Sequence, residues 1–401
     1  MLRKILLACT LVAVGGACAD QPTAVPMAEL PTAAEANAVH FWESNAPVYW
    51  NTVSRQLVAS NRLNALQAIR AYAVLSLAQY NAAIAAEKAQ LDGDVRHPSV
   101  HAAISAASVA ALSYLHPAEA TALEARLDQY LEQPSWPGDK NGDPEAGESV
   151  GRMIAAMVVT RAQNDGFFDP WTGTVPTGPG KWYSSTPPVG ATVGNAKAFF
   201  LAQNHQFRPV APPEFGSPEF NAAVAEVRQI SDTRTPEQTA IAVFWNLPGG
   251  THQPPGFWNE EATKLAVAKR LNERETAHTL ALMNMVSYDA IVASHEAKYH
   301  YWLLRPTMAD AGIVLAIGLP NFPSYPSNHA TISAAMARVL GDRFPSDKVR
   351  LDALADEAAL SRVFGGIHYR FDGDAGLELG RKVAAWALER DVKGHEPFPI
   401  Q

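Results

Sequence analysis

Apolar residues recur at three- and four-residue steps along most of the chain. The clearest early case follows Ser60-Asn61, where Leu63, Leu66, Ile69, Ala73, Leu77, Tyr80 and Ile84 fall on one helical face. That stripe predicts a long helix stopped near Gly93. Ser99 then caps an alanine-rich helix that ends before Pro117. Pro117 can open another helix, which closes before Pro134, and a further one fits 146–163. From Asp165 to Phe220 the periodicity breaks, and Pro, Gly and aromatics such as Trp171, Trp182, Tyr183 and Phe207 take over. A structureless loop of that length is unusual in a compact domain. The segment is therefore expected to wrap the helical body with its aromatics packed down, where it can cover an active-site mouth. Helices resume at Thr235-Pro236-Glu237-Gln238, a capping box with proline at the first helical position. Asn272 with Glu275 starts the longest helix, which runs through Met283, Val286 and Ile291 into Lys298. Others fit 327–340, 346–364 and about 373–390. Strand alternation is nearly absent and no 33- to 47-residue repeat is visible. The expected fold is all-α, in one domain that two helical bundles could build.

Composition narrows the class. A hydrophobic share of 47% supplies a sizeable core, and a charged share of 18% is low for a disordered chain. Residues 1–19 read as a signal peptide: Arg3-Lys4, an apolar run from Ile5 to Ala17 too short to span a bilayer, then small residues. Cleavage after Ala19 is one outcome. Gly15-Gly16-Ala17-Cys18 also fits a lipoprotein box, with a lipid anchor at Cys18, although Gly15 stands where that box usually carries Leu or Val. An exported protein, periplasmic or secreted, is expected. Residues 20–36 read as a flexible tether and 37–401 as the domain. The only cysteines, Cys9 and Cys18, lie in the leader, so the body holds no disulfide. Such a thiol-free body suits an enzyme that makes a strong oxidant, or simply a large domain with no need of cysteine. Without the leader, 30 basic face 40 acidic side chains, a net charge of −10. That balance argues against nucleic acid or an anionic membrane as the main partner. Beyond residue 19 no uninterrupted apolar stretch reaches 18 residues, so no transmembrane segment is expected. Asp139-Lys140-Asn141-Gly142-Asp143 alternates oxygen ligands like a calcium loop. It lacks the glycine at the sixth position and the closing glutamate, where Val150 stands, and reads as a solvated turn.

Three polar stretches interrupt the later helices. In the first, Lys298 and Arg305 are seven residues apart, close to two helical turns, so both can face one way near a helix that Pro306 ends. In the second, Ser327 of Pro326-Ser327-Asn328-His329 is a good N-cap, and a helix start offers free N–H groups and partial positive charge to an anion. In the third, Ser361-Arg362 is followed by Gly365-Gly366, His368 and Asp372. The glycines let the chain turn back, and Asp372 can accept a bond from one nitrogen of His368, leaving the other as nucleophile or ligand. Each fragment alone has an ordinary explanation: a solvated face, a plain cap, a core His–Asp pair. Together their cations, histidines and hydroxyl suit an oxyanion better than a metal cation.

The ordered set resembles the signature shared by vanadium-dependent haloperoxidases and type-2 phosphatidic-acid phosphatases: Lys-x6-Arg-Pro, Pro-Ser-Gly-His and Ser-Arg-x5-His-x3-Asp. Only Asn328 departs from it, in place of glycine, and it keeps the N–H. Phe244-Trp245, Pro254-Pro255-Gly256-Phe257-Trp258-Asn259, Asp289-Ala290, Gly180-Lys181-Trp182, Thr186-Pro187-Pro188 and Gln206-Phe207-Arg208-Pro209 extend the resemblance to the soluble bacterial haloperoxidase-like branch over most of 40–390. It implies a helical-bundle haloperoxidase-like, or type-2 acid phosphatase, fold with vanadate as cofactor. Lys298, Arg305 and Arg362 would hold its oxygens, with Ser327 and the Asn328 N–H. His368 would bind the vanadium, oriented by Asp372, and His329 would act as acid/base. Hydrogen peroxide and halide would be the substrates and hypohalous acid the product, with Lys298 polarising the peroxide and Phe322 on the halide side.

The rival reading uses the same residues. In a soluble acid phosphatase His368 attacks a phosphate ester, the cations hold the phosphoryl group and His329 protonates the leaving oxygen. Soluble phosphatases of this type resemble only the last part of the chain, whereas the haloperoxidase-like resemblance spans nearly all of it. A third reading, an oxyanion-binding protein without turnover, leaves His329, His368 and Asp372 without a purpose.

Overall fold

A computed structural model describes residues 45–93, 96–132 and 142–400, all within one compact unit, Val39–Gln401. The leader, the tether and Asp139-Lys140-Asn141 lie outside the described residues. Helices α1 (Ala46–Ser60), α2 (Ala65–Leu91), α3 (Val100–Leu115), α4 (Ala120–Leu131) and α5 (Pro144–Gln163) come first. Then follow α6 (Pro218–Thr233), α7 (Pro236–Phe244), α8 (Gln253–Ala268) and α9 (Glu273–Tyr301). The short α10 (Pro306–Ala309) precedes α11 (Asn328–Arg343), α12 (Lys348–Phe364) and α13 (Arg370–Leu388). Among the described residues there are isolated bridges but no strand, so the all-α expectation holds.

Local chemistry sets the helix starts. Asn64, Thr235 and Asn272 each form a capping box, and Ser99, Asp143, Ser217 and Ser327 each accept a bond from the first turn. Asp143, once a candidate calcium ligand, is thus the cap of α5. Helices α1, α6 and α8 lie where the periodicity predicted none. Each begins with prolines or aromatics that blur the apolar stripe, and α6 buries only Phe220 and Val227 fully. Pro117 opens a single 3-10 turn before α4 rather than the helix itself.

The helices form two copies of one arrangement, a repeat of far longer period than the sequence reading tested. Chain reversals at Arg62 and Arg270 share left-handed φ angles of 51° and 55°. The same carbonyls close both, with Leu63 N–H donating to Val58 and Leu271 N–H to Ala266. Ser99 N–H donates to Asp143 O and Ser327 N–H to Asp372 O, each at 2.9 Å. Pro98-Ser99-Val100-His101 thus stands in the first copy where Pro326-Ser327-Asn328-His329 stands in the second. Equivalent residues meet between the copies: Asn51 pairs with Asn259 at 2.7 Å and Ser76 with Asn284 at 2.9 Å, each 208 residues apart and fully buried.

Glycines let α13 lie almost on α11. A Cβ on Gly380 would come within 2.1 Å of Thr331 O, and one on Gly376 within 2.7 Å of Ser327 O. Gly147 and Gly151 of α5 repeat the device against Ser99 and Ala103. In the second copy the close crossing brings the start of α13, with Asp372, against the start of α11.

The 165–220 segment wraps the body as expected. Phe199, Phe200 and Leu201 N–H groups all donate to the buried Asp289 of α9. Trp182 is buried against Trp302, whose left-handed backbone ends α9, and the two strands of chain exchange bonds from Trp182 N–H to Trp302 O and from Leu304 N–H to Gly180 O. Tyr183 departs from the expectation and is exposed.

Candidate active site

The three polar stretches converge. Lys298, Arg305 and Arg362 are at most 1% exposed, and His368 is 2% exposed beside them. The route differs from the sequence reading in one respect. Lys298 and Arg305 do not share a helix: α9 stops at Tyr301, and Arg305 is extended, the N-cap of α10, which Pro306 begins rather than ends. Trp302 supplies the reversal, because its left-handed angles break the helix three residues before Arg305. The side chains still meet, as one end of α9 and one end of α10.

Each cation is held in place by backbone carbonyls. Lys298 Nζ donates to Pro323 O (3.1 Å), Ser324 O (2.7 Å) and Pro326 O. Arg305 donates from Nε to Phe322 O (3.0 Å) and from Nη1 to Ile367 O (2.8 Å). Arg362 donates to Ala242 O (3.0 Å), just before the end of α7. Among the described residues none of the three forms an ion pair; the only one at the cluster is His368 with Asp372. Burial pulls Arg305 down to about 10 and Arg362 to about 9, which leaves both charged at neutral pH. Burial and then Arg305 pull Lys298 down as well. Three carbonyl acceptors nevertheless favour its ammonium form, which alone has a proton for each. Lys298 therefore contributes charge to the site while its protons are directed at the 323–326 segment.

His368 sits at the centre. Its Nδ1 lies 2.7 Å from Asp372 Oδ2, and Nε2 accepts from Arg305 Nη1 at 3.0 Å. That pattern puts the proton on Nδ1 and leaves a lone pair on Nε2. Burial first, then the charges of Arg305, Lys298 and Arg362, hold the ring far below its ordinary pKa. Asp372 is raised by burial, while Ser324 Oγ (2.5 Å) and Tyr369 N–H (3.2 Å) stabilise its anion. Ser324, which the sequence reading did not single out, is thus part of the site. Its signal was only a serine between Pro323 and Tyr325, with no motif around it.

Ser327 caps α11 as expected, accepting from Ala330 N–H. His329 stands in the first turn, half-buried, and its Nε2 donates to Trp245 O at 3.0 Å. Burial, then Arg362, depresses its pKa well below the usual range. The Asn328 side chain turns away from the cluster, accepting from Ser294 Oγ (2.8 Å) and donating to His295 Nε2 (3.0 Å). Phe322 faces the cations, its ring centre 5.1 Å from Lys298 Nζ and 5.0 Å from Arg305 Cζ.

The donor set fits an oxyanion such as vanadate. Three buried cations without a carboxylate partner are costly unless an anion joins them. Arg305 Nη2 is buried with no acceptor among the described residues. No group of three or more His, Cys, Asp or Glu able to hold a metal cation occurs among the described residues.

Residues 349–394 match the family of the VCPO second helical-bundle domain. The vanadium-dependent bromoperoxidase of Ascophyllum nodosum is 35% identical over 19% of each chain. The vanadium chloroperoxidase of Curvularia inaequalis is 27% identical over 37% of this chain and 38% of that one. The matches thus span well under half the length of these curated relatives. Among solved structures, a bacterial vanadium-dependent iodoperoxidase shares the fold with a TM-score of 0.74 at 20% identity, over 86% of this chain and 96% of that one. An apo bacterial vanadium-dependent chloroperoxidase aligns with a TM-score of 0.67 at 14% identity, over 82% and 94%. The chain thus shares the fold of the bacterial vanadium-dependent haloperoxidases, and its sequence is similar to the two curated relatives over limited stretches.

Proposed function

We propose that this protein is an exported vanadate-dependent haloperoxidase that oxidises halide with hydrogen peroxide to hypohalous acid. The observation that carries the reading is the buried, unpaired trio Lys298, Arg305 and Arg362 around a neutral His368 whose Nε2 lone pair faces them. His368 would bind the vanadium through Nε2, and Asp372 with Ser324 would hold the ring in that tautomer. Arg305 and Arg362 would bind the oxygens, with the α11 start at Ser327 and the Asn328 N–H and with the charge of Lys298. Bound vanadate would supply an electrophilic centre that activates peroxide toward halide. His329, whose Nδ1 is not needed by Trp245, would move a proton at the exposed side of the cage. Phe322 would form an apolar wall on the halide side.

Purified protein incubated with vanadate, peroxide and bromide should halogenate a phenol dye, with no turnover when vanadate is omitted. Halogenation absent at every vanadate concentration, with phosphate-ester hydrolysis by the vanadate-free protein, would overturn the assignment in favour of the phosphatase. Among the described residues no helix is long and apolar enough to cross a membrane. Export rests on Arg3-Lys4 and the apolar run from Ile5 to Ala17. The mature N-terminus, Asp20 or a lipidated Cys18, tests it.

A further inference from the structure

A second chain of polar contacts starts at Asn328 and leads away from the cations. His295, on α9 and fully buried, accepts from Asn328 Nδ2 through Nε2 (3.0 Å) and donates from Nδ1 to Gly190 O (2.8 Å). One neutral tautomer satisfies both bonds. Gly190 is shaped for the contact: its φ is +73°, and a Cβ there would lie 2.7 Å from His295 Cε1. The loop around it is strapped to the residues beside Phe322. Val189 N–H donates to Asn321 O (2.9 Å), Asn321 Nδ2 donates to Pro187 O (2.8 Å) and Tyr299 OH donates to Val189 O (2.6 Å). The His295 ring also packs on Phe322, 5.7 Å between centres, and Phe322 in turn faces Lys298 and Arg305.

We infer that His295 is a positioning residue that couples the α11 start at Asn328 to the 184–190 loop and fixes the Phe322 wall of the site. The inference rests on the haloperoxidase reading for its consequence, halide specificity, while the tether itself is a property of the protein. The side chains of Asn328 on α11 and Phe322 in the 318–324 segment and the backbone of Gly190 meet at the one imidazole of α9. A change there moves the loop and Phe322 together without touching Arg362, His368 or Asp372. Asn328 replaces the glycine of the signature, and its side chain is what makes the coupling, since glycine offers no donor to His295.

The test compares His295→Leu, which keeps bulk but loses both bonds, with His295→Gln, which retains one donor and one acceptor. Bromide KM and kcat are measured with vanadate bound, and hydrogen exchange over residues 184–195 is measured with and without it. His295→Leu should raise bromide KM about tenfold with kcat changed less than about threefold, a loss of ground-state positioning. Exchange should rise over 184–195 and stay unchanged across α2 and α3, and His295→Gln should restore much of both effects. Leu and Gln variants that behave alike, or exchange that rises throughout the chain, would show a merely structural role and overturn the inference. Should His295→Leu fail to fold, Asn328→Gly leaves His295 in place, removes its bond from Asn328 together with the one from Ser294 Oγ, and should loosen the same loop; a loop left unchanged overturns the inference. If the wild-type protein oxidises no halide, the haloperoxidase reading falls on its own, and loop exchange still decides whether the tether exists.

Discussion

At the scale of single residues, the site works by keeping opposite protonation habits side by side. Arg305 and Arg362 keep their protons, whereas burial and those same charges hold His329 and His368 neutral, and burial with the charge of Lys298 holds His295 neutral. The linkage has a definite sign. Each of these histidines has a folded pKa below its unfolded value of 6.5, so its contribution to stability is complete above about pH 6.5. The contribution is lost as pH falls toward the folded value, about 3 for His295. Thermal unfolding of the vanadate-free protein should therefore drop between pH 6.5 and 4, each histidine contributing roughly 1.4 kcal/mol per pH unit, offset in part by Asp289 and Asp372, which burial raises to about 6 and which take up protons in the fold over the same window. His295→Leu should make that decline shallower. A decline as steep in His295→Leu as in the wild type would show that the His295 ring is already protonated in the fold. His368→Ala should abolish halogenation and covalent vanadate, while Arg362→Ala should weaken vanadate binding about 10- to 100-fold through lost charge-assisted bonds. Equilibrium dialysis measures the second effect directly.

At the scale of elements, helix ends and close crossings build the site. Ser327 caps α11, Trp302 ends α9 in the left-handed region, and Gly365-Gly366, the latter at φ +78°, ends α12 so that the chain returns to His368. The α11–α13 crossing fixes where Asp372 and Ser327 meet. Gly380→Ala should cost about 2 kcal/mol or more, because its Cβ would meet backbone at Thr331 rather than a side chain that can move. Gly151→Ala makes the same clash far from the site, against Ala103 O. It should lower the melting temperature similarly while leaving bromide KM near the wild-type value. Equal loss of affinity in both variants would contradict the link between the second crossing and the site.

At the scale of the whole molecule, one of two similar copies carries the cations. In the first copy Val100 stands where Asn328 does, and His101 Nδ1 bonds Glu273 at 2.7 Å. Calorimetric titration should therefore find one vanadate per chain; two equal sites would assign binding to the first copy as well. Legibility in the sequence follows from range. Helices α2, α3, α5, α9 and α11 could be read because caps and apolar steps are local. The site set could be read because its spacing recurs in a known signature. The duplication escaped because the copies share little beyond Pro-Ser-x-His and two glycine pairs, and its proof lies in hydrogen bonds between residues 208 apart.

By itself the amino-acid sequence determined the helical class, the caps, and which groups are available to the site: Lys298, Arg305, Ser327, His329, Arg362, His368 and Asp372. Only the tertiary structure decided how those groups meet. It put Lys298 in α9 and Arg305 at the extended cap before α10, and it directed the Lys298 protons at carbonyls. It also brought in Ser324, His295 and the carbonyls of Ala242 and Trp245. The physical reason is that a helix start or an apolar stripe is encoded within a few residues. The environment of a buried charge depends on which distant backbone atoms close around it.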